Sequence, residues 1–330
     1  MILSPFQLHR PDSIEAALAL AAEHAADADF IGGGTDLMQN YKNRLNAKGN
    51  LIALNEVAEL RGVSATRIGA MERLSGLADH PIVRRDWPGL AEAITHVASP
   101  LIRNQGTIGG NLLVETRCYF FNQTPFWRET KGSCMKAESD ECLVIPQKEI
   151  CYAAYSGDLA PLLGCLGAVL ELASPTGRRE VPVSEFYQGD GITKNVLGEN
   201  ELVVGIVLPD GARALRAGYR KLRLRDTIDY PEMGVAAAVK LDDSSRITEL
   251  RAATTAVDVV PQFADYTGTC AGRTIADVLD EVADDLQANA QPKKNTALPV
   301  GYRKKMVGVF LRRLLRDLAD GKSEGRISAA

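Results

Sequence analysis

Four cysteines, Cys118, Cys134, Cys142 and Cys151, fall in one stretch of this 330-residue chain with the spacing C-x15-C-x7-C-x8-C. Four thiolates can complete an iron–sulfur cluster, each iron taking one protein sulfur, and they can equally surround a tetrahedral zinc ion. No pair has the C-x2-C spacing of a zinc knuckle or a ferredoxin, so spacing leaves a cluster, a zinc site and inert buried thiols all open. Disulfides would need an oxidising compartment. Aromatic residues crowd the stretch (Tyr119, Phe120, Phe121, Phe126, Trp127, Tyr152 and Tyr155), and burial among them would shield a cluster from water. Cys165 lies in the apolar run Leu162–Leu170 and reads as a core residue. Cys270 has no nearby partner and takes no assignment.

Two glycine turns offer a second kind of chemistry. Gly32-Gly33-Gly34-Thr35, following the short strand Phe30-Ile31, lets successive backbone N–H groups converge on a phosphate oxygen without interference from Cβ atoms. Thr107-Ile108-Gly109-Gly110-Asn111 repeats that logic. Leu37 stands where a Rossmann turn needs glycine, and the Gly-Lys-Ser/Thr ending of a P-loop is absent, which disfavours a nicotinamide dehydrogenase. Two such turns suggest a ligand with two phosphates, such as a dinucleotide. The competing reading is a pair of plain structural turns.

The elements that must position these residues are mixed. Asp12 or Ser13 can cap a helix carrying Ile14, Leu18 and Ala21, and a strand follows at Leu51–Leu54. Gly89–Ala98 reads as a helix ended by Pro100, and Asp158–Gly167 as an apolar helix. Strands are expected at Ala168–Ala173, Val181–Phe186, Glu201–Leu208, Val235–Leu241 and Ile247–Val257. Thr274–Leu286 and Gly301–Leu318 read as amphipathic helices, and 321–330 as a frayed tail. The expected organisation is an α/β unit over 1–60, a second α/β unit over 61–215 with the cysteine stretch 115–155 as an insertion, and a C-terminal α+β region over 216–330.

The net charge of −4 offers no basic face for nucleic acid. No apolar run reaches the roughly 20 residues that span a bilayer, and the N-terminus lacks a signal-peptide layout. A cytoplasmic protein is expected. The four histidines (His9, His24, His80 and His96) form no recognisable catalytic or metal motif.

The order Gly-Gly-Gly-Thr-Asp-Leu, Thr-Ile-Gly-Gly-Asn and then Gly157-Asp158-Leu159-Ala160-Pro161 resembles the flavin subunits of the molybdenum hydroxylases, the xanthine dehydrogenase and carbon monoxide dehydrogenase group. The resemblance runs from Phe6 to the Gly301-Tyr302-Arg303 helix. It implies an α+β fold: a vanillyl-alcohol-oxidase/PCMH-like FAD-binding domain of two α/β subdomains, followed by a C-terminal antiparallel sheet with helices. It also implies non-covalent FAD held by Ile31, Gly32, Gly33, Gly34, Thr35, Asp36 and Leu37 with Thr107, Ile108, Gly109, Gly110 and Asn111. Val97 and Asp158 match further contact positions, as do Val204 and Lys221. Alternatively, Asp158 caps the helix it precedes and Lys221 is a solvated surface charge.

Such subunits pass from the second turn to the Asp-Leu-Ala-Pro helix by a short connection, whereas here about forty residues intervene, too many for a structureless loop. The insertion resembles the β subunits of the 4-hydroxybenzoyl-CoA reductases, at Arg117-Cys118, Asn122-Gln123, Trp127-Arg128, Cys142-Leu143-Val144-Ile145 and Cys151-Tyr152-Ala153. That implies a 4Fe–4S cluster on the four cysteines. Some bacterial aldehyde oxidoreductases also carry a cluster here, with different cysteine spacing. The implied partners are a large molybdenum-cofactor subunit, a small subunit with two 2Fe–2S clusters and ferredoxin as donor, in a dimer of heterotrimers. The alternatives are an aldehyde or aromatic hydroxylase and, in another class, a zinc-stabilised binding module without redox activity.

Overall fold

A computed structural model describes residues 3–137, 139–147 and 149–322. Its fold is α+β, as expected, and is built on three sheets. The first holds β1 (Gln7–His9), β2 (Ala28–Ile31) and β3 (Asn50–Ala53), all parallel, with β3 in the centre. Parallel neighbours need crossovers, and the helices Ile14–His24 and Leu37–Lys42 supply them. Ser13 caps the first of these by accepting from the Ala16 N–H at 3.2 Å. Its buried residues Ile14, Ala17, Leu18 and Ala21 recur at helical spacing.

The second sheet is antiparallel. Its strands are β4 (Arg67–Gly69), β5 (Val169–Ser174), β6 (Gly177–Pro182) and β7 (Leu202–Val207), in the order β4-β7-β5-β6. The first sheet docks on it through a core in which Ile14, Ile52 and Leu54 meet Met71, Leu202 and Val204. The third sheet holds β8 (Arg216–Leu222), β9 (Met233–Leu241), β10 (Ile247–Thr255) and β11 (Gln262–Asp265), antiparallel in chain order.

β9 is buried on both faces. Val235, Ala237 and Val239 pack with the helices Ile275–Asn289 and Val300–Ala319. Ala236 and Ala238 pack on the other side with Leu90, Leu162 and Leu163 of the helices Pro88–Thr95 and Ala160–Cys165. Alternation along the strand thus assigns successive residues to two different cores.

Two expected elements differ in form. Pro100 does not follow a helix that runs to Ala98. That helix ends at Thr95, and Pro100 opens a new turn, Pro100–Arg103, whose cap Ser99 accepts from the Ile102 N–H. Proline suits that first position because the N–H it lacks would have no partner there. The strand expected over Val181–Phe186 stops at Pro182, and Val183–Phe186 winds into a helical turn that buries Val183 and Phe186. Of the expected frayed tail, 323–330 lies outside the described residues. Among the described residues no helix is long and apolar enough to cross a membrane.

Candidate functional site: a turn-lined cavity beside four thiols

The two glycine turns meet. A Cβ built on Gly33 would stand 1.9 Å from the Gln105 carbonyl oxygen and 2.9 Å from Gly106 Cα, and one on Gly32 would lie 3.1 Å from Thr107 Oγ1. Only glycine permits that approach. The turns edge a cavity of about 840 Å³ between the first and second sheets, a size typical of cofactor sites.

Ile31, Gly32, Gly33, Gly34, Thr35, Asp36 and Leu37 line the cavity from the first turn. Thr107, Gly109, Gly110 and Asn111 line it from the second, and Val97 and Asp158 join them. Three residues expected with these are not brought to the cavity. Ile108 is fully buried, its N–H donating to the Glu72 carbonyl at 3.0 Å. Val204 lies in the core beneath, behind its lining neighbours Leu202 and Val203. Lys221 sits behind Asp158.

Asp158 does not cap the helix it precedes, since Leu159 holds the cap position. The Leu159 N–H donates to Asn111 Oδ1 at 3.1 Å, joining the second turn to the Asp-Leu-Ala-Pro segment. Asp158 Oδ1 accepts from Tyr219 Oη at 3.0 Å and pairs with Lys221 Nζ at 2.9 Å, and Lys221 also donates to the His96 carbonyl at 3.1 Å. Lys221 is therefore no surface charge, its side chain being 1% exposed. Burial pushes its pKa down, opposed by the Asp158 carboxylate. Asp158→Asn leaves that ammonium buried without its counter-charge and is expected to cost about 3–5 kcal/mol. Denaturant unfolding checks this, with the double variant Asp158→Asn/Lys221→Met expected to recover most of the loss.

The cysteine stretch folds against the cavity from one side. Thr124 caps the helix Pro125–Lys131, which ends at Gly132 with φ 77°. Arg128 donates to the Gln123 carbonyl at 2.6 Å and the Asn43 carbonyl at 3.3 Å. Arg117 and Ala154 pair through their backbones, closing the base of the insertion. Cys118, Cys134, Cys142 and Cys151 are all buried and none is disulfide-bonded. Cys118, Cys134 and Cys151 pack with Leu45, Phe121 and Ala153, and Cys142 lies within electrostatic range of Cys118 and Cys151.

Burial pushes the Cys118 thiol up to about 11, opposed by the backbone N–H groups of Phe120 and Phe121. The Cys151 thiol is likewise pushed up to about 11, opposed by the Ala153 N–H and the Lys136 charge. Among the described residues no three or more His, Cys, Asp or Glu side chains form a group that could hold a metal ion. The four thiols are thus not gathered into one metal-holding group, whether for the expected 4Fe–4S cluster or for zinc.

The aromatic shield is narrower than expected. Phe121 is buried among the thiols with Phe120 against it, but Tyr119 and Phe126 are 56% and 75% exposed. Tyr155 belongs to the main core, its hydroxyl in contact with Tyr187 Oη at 3.1 Å. Cys165 is a core residue, as expected, and Cys270 is buried in the C-terminal core.

Residues 4–211 match the family model described as the FAD binding domain in molybdopterin dehydrogenase. The chain belongs to that family. Residues 217–318 of this FAD-binding subunit match the CO dehydrogenase flavoprotein C-terminal domain. It is 35% identical to the aldehyde oxidoreductase FAD-binding subunit PaoB of Escherichia coli (strain K12), over 70% of this chain and 77% of that one. It is 28% identical to the carbon monoxide dehydrogenase medium chain of Hydrogenophaga pseudoflava, over 96% and 97%. A crystal structure of the Cu,Mo-CO dehydrogenase in its cyanide-inactivated form superposes with a TM-score of 0.79 at 26% identity, covering 97% of this chain and 99% of that one.

The cavity of the FAD-binding subunit suits a dinucleotide. Among the described residues, nothing accepts a hydrogen bond from the backbone N–H of Gly33, Gly34, Thr35 or Asp36, all of which line the cavity. Consecutive unpartnered N–H groups form the kind of concavity that takes a phosphate. Asp36 anchors the turn through its side chain: Oδ2 accepts from the Glu115 N–H at 2.9 Å, and Oδ1 accepts from Tyr230 Oη at 2.7 Å and from Arg117.

Leu45, Glu115, Lys136 and Lys194 lay beyond sequence reasoning, and Phe121, expected only as one of the aromatics around the thiols, also reaches the cavity. Leu45 and Phe121 line the cavity and also pack with the thiols, so a single layer of side chains separates the two compartments. Glu115 and Lys194 line the cavity as well, paired at 2.7 Å, and Glu115 pairs at the same distance with the buried Lys136. Burial would raise the Glu115 pKa, but the two lysines outweigh it and hold the carboxyl at about 2. Burial pushes Lys136 down, so the pair's net worth to stability is smaller than the Glu115 shift alone implies.

Proposed function

We propose that this FAD-binding subunit is the electron-entry chain of a molybdenum enzyme that reduces 4-hydroxybenzoyl-CoA to benzoyl-CoA. Two electrons and two protons are consumed, and the phenolic oxygen leaves as water. FAD, held at the two turns, exchanges electrons singly or in pairs. Gly32 to Leu37 and Thr107 to Asn111, without Ile108, supply the phosphate-facing backbone. Asp158 and Val97 complete the cavity wall, with Lys221 holding Asp158 in place and Val204 supporting from the core.

The observation that carries the reading is the insertion, whose four cysteines are buried and unbridged, three of them (Cys118, Cys134 and Cys151) packed with Leu45 and Phe121 of the cavity wall. Cys118, Cys134, Cys142 and Cys151 form a soft all-sulfur donor set suited to a 4Fe–4S cluster, and the N–H groups directed at Cys118 and Cys151 favour thiolates. Because burial pushes the Cys118 and Cys151 thiols up to about 11, cluster binding must displace the protons of those two. The partners in this reading are a large molybdenum subunit, a small subunit with two 2Fe–2S clusters and reduced ferredoxin as donor, assembled in the cytoplasm as a dimer of heterotrimers.

A second reading, the FAD subunit of an aldehyde or aromatic hydroxylase, draws support from the 35% identity to the aldehyde oxidoreductase subunit. The complete complex assayed with 4-hydroxybenzoyl-CoA and a low-potential reductant, and in parallel with aromatic aldehydes and an acceptor dye, separates the two. Benzoyl-CoA is the expected product. Aldehyde oxidation without benzoyl-CoA would transfer the assignment to the second reading.

A further inference from the structure

The insertion carries a buried lysine that the turns and thiols leave unexplained. Lys136, two positions past Cys134, has a side chain only 4% exposed. Its Nζ donates to Glu115 Oε1 at 2.7 Å, the Gly191 carbonyl at 2.9 Å and the Thr116 carbonyl at 3.3 Å, with Thr116 Oγ1 also in contact. These four oxygens outnumber the two N–H bonds that a neutral amine offers and suit an ammonium with three. The charge also lies 4.9 Å over the Phe121 ring, whose atoms pack with Cys118, Cys134 and Cys151.

Gly191 ties this ammonium to a thiol. Its carbonyl accepts from Lys136, its N–H donates to the Cys151 carbonyl at 2.9 Å, and a Cβ on it would stand 2.8 Å from Cys151 Sγ. Glycine at 191 therefore lets one backbone segment touch the sulfur and the cation together. Glu115, the carboxylate facing Lys136, is shared with Lys194 and looks into the FAD cavity. One carboxylate thus serves two ammonium groups beside the thiols.

We propose that Lys136 is a fixed buried cation that raises the reduction potential of the cluster on the four cysteines, with Glu115 as its counterweight on the flavin side. This rests on the cluster reading above. Reduction adds negative charge to the thiolate-bound iron, so a buried positive charge nearby favours the reduced form and a buried negative charge opposes it. A unit charge about 10 Å away in a medium of effective dielectric about 20 shifts a one-electron equilibrium roughly tenfold or more.

The test is an EPR-monitored redox titration of the complete complex, purified anaerobically, with iron, sulfide and FAD quantified first. Lys136→Met should move the cluster equilibrium about tenfold toward the oxidised form, a drop of about 59 mV for a one-electron couple. Lys136→Arg should restore the wild-type potential, and Glu115→Gln should move it the opposite way. Shifts of Lys136→Met and Glu115→Gln in the same direction, or none with iron retained, overturn the proposal. If Lys136→Met fails to hold iron, the sign of the Glu115→Gln shift still decides it. A wild-type complex with stoichiometric FAD but no iron at these cysteines defeats the cluster reading itself.

Discussion

Gly33→Val yields a chain without flavin. The new Cβ would be forced to 1.9 Å from the Gln105 carbonyl oxygen and 2.6 Å from its carbon, both backbone atoms of the segment leading into the second turn. Neither can rotate aside as a side-chain tip would, so the two turns must separate. Separation dismantles the row of N–H groups at 33–36 that faces the cavity, and overpacking adds about 1–3 kcal/mol of destabilisation. Flavin absorbance after desalting, together with a denaturant midpoint, reads both effects. Gly211→Val, at a glycine where an added Cβ meets nothing within 4 Å, is the control and should keep its FAD. Stoichiometric flavin in Gly33→Val would remove the first turn from the binding site.

Cys134→Ser should abolish bound iron and sulfide while FAD remains. A serine hydroxyl is a poor donor for the iron of a cluster, and the other three cysteines then leave one iron without its sulfur. The turns proposed to hold FAD come from other segments, and the wall shared with the thiols is made by Leu45 and Phe121, which the substitution leaves in place. Cys165→Ser serves as the contrast, because that thiol is packed in the main core away from the insertion, and its iron content should match wild type. Iron unchanged in Cys134→Ser would strike Cys134 from the ligand set.

How much of this was legible in the sequence follows from the range of the signals. The glycine turns could be read because a tight approach to backbone leaves a local signature, glycine beside glycine. The helix starts at Ser13 and Thr274 were equally local, since cap and capped N–H lie three positions apart. That the turns meet was not readable, because it depends on how Gln105 and Gly106 are carried to Gly33. The same holds for Asp36, which finds Tyr230 across 194 positions, and for Lys194, which reaches Glu115 across 79. Lys136 carries no local signature, and only folding the insertion onto Gly191 shows it to be interior. Pro100 misled for a different reason: proline ends one helix and begins another with equal ease, and only the cap at Ser99 tells which.

The alternating burial of β9 bears on how the two family segments, 4–211 and 217–318, behave as bodies. Domains joined in one chain usually move against each other unless a large apolar contact prevents it. Here Ala236 and Ala238 are interior residues of one segment's core while Val235, Ala237 and Val239 serve the other. No hinge can form along a strand that both cores own. The segments should melt as one cooperative unit, and cleavage between them should not free either piece, since each would expose half of its neighbour's interior. The distance between the turn-lined cavity and any partner seated on the C-terminal helices is then a fixed dimension of the fold.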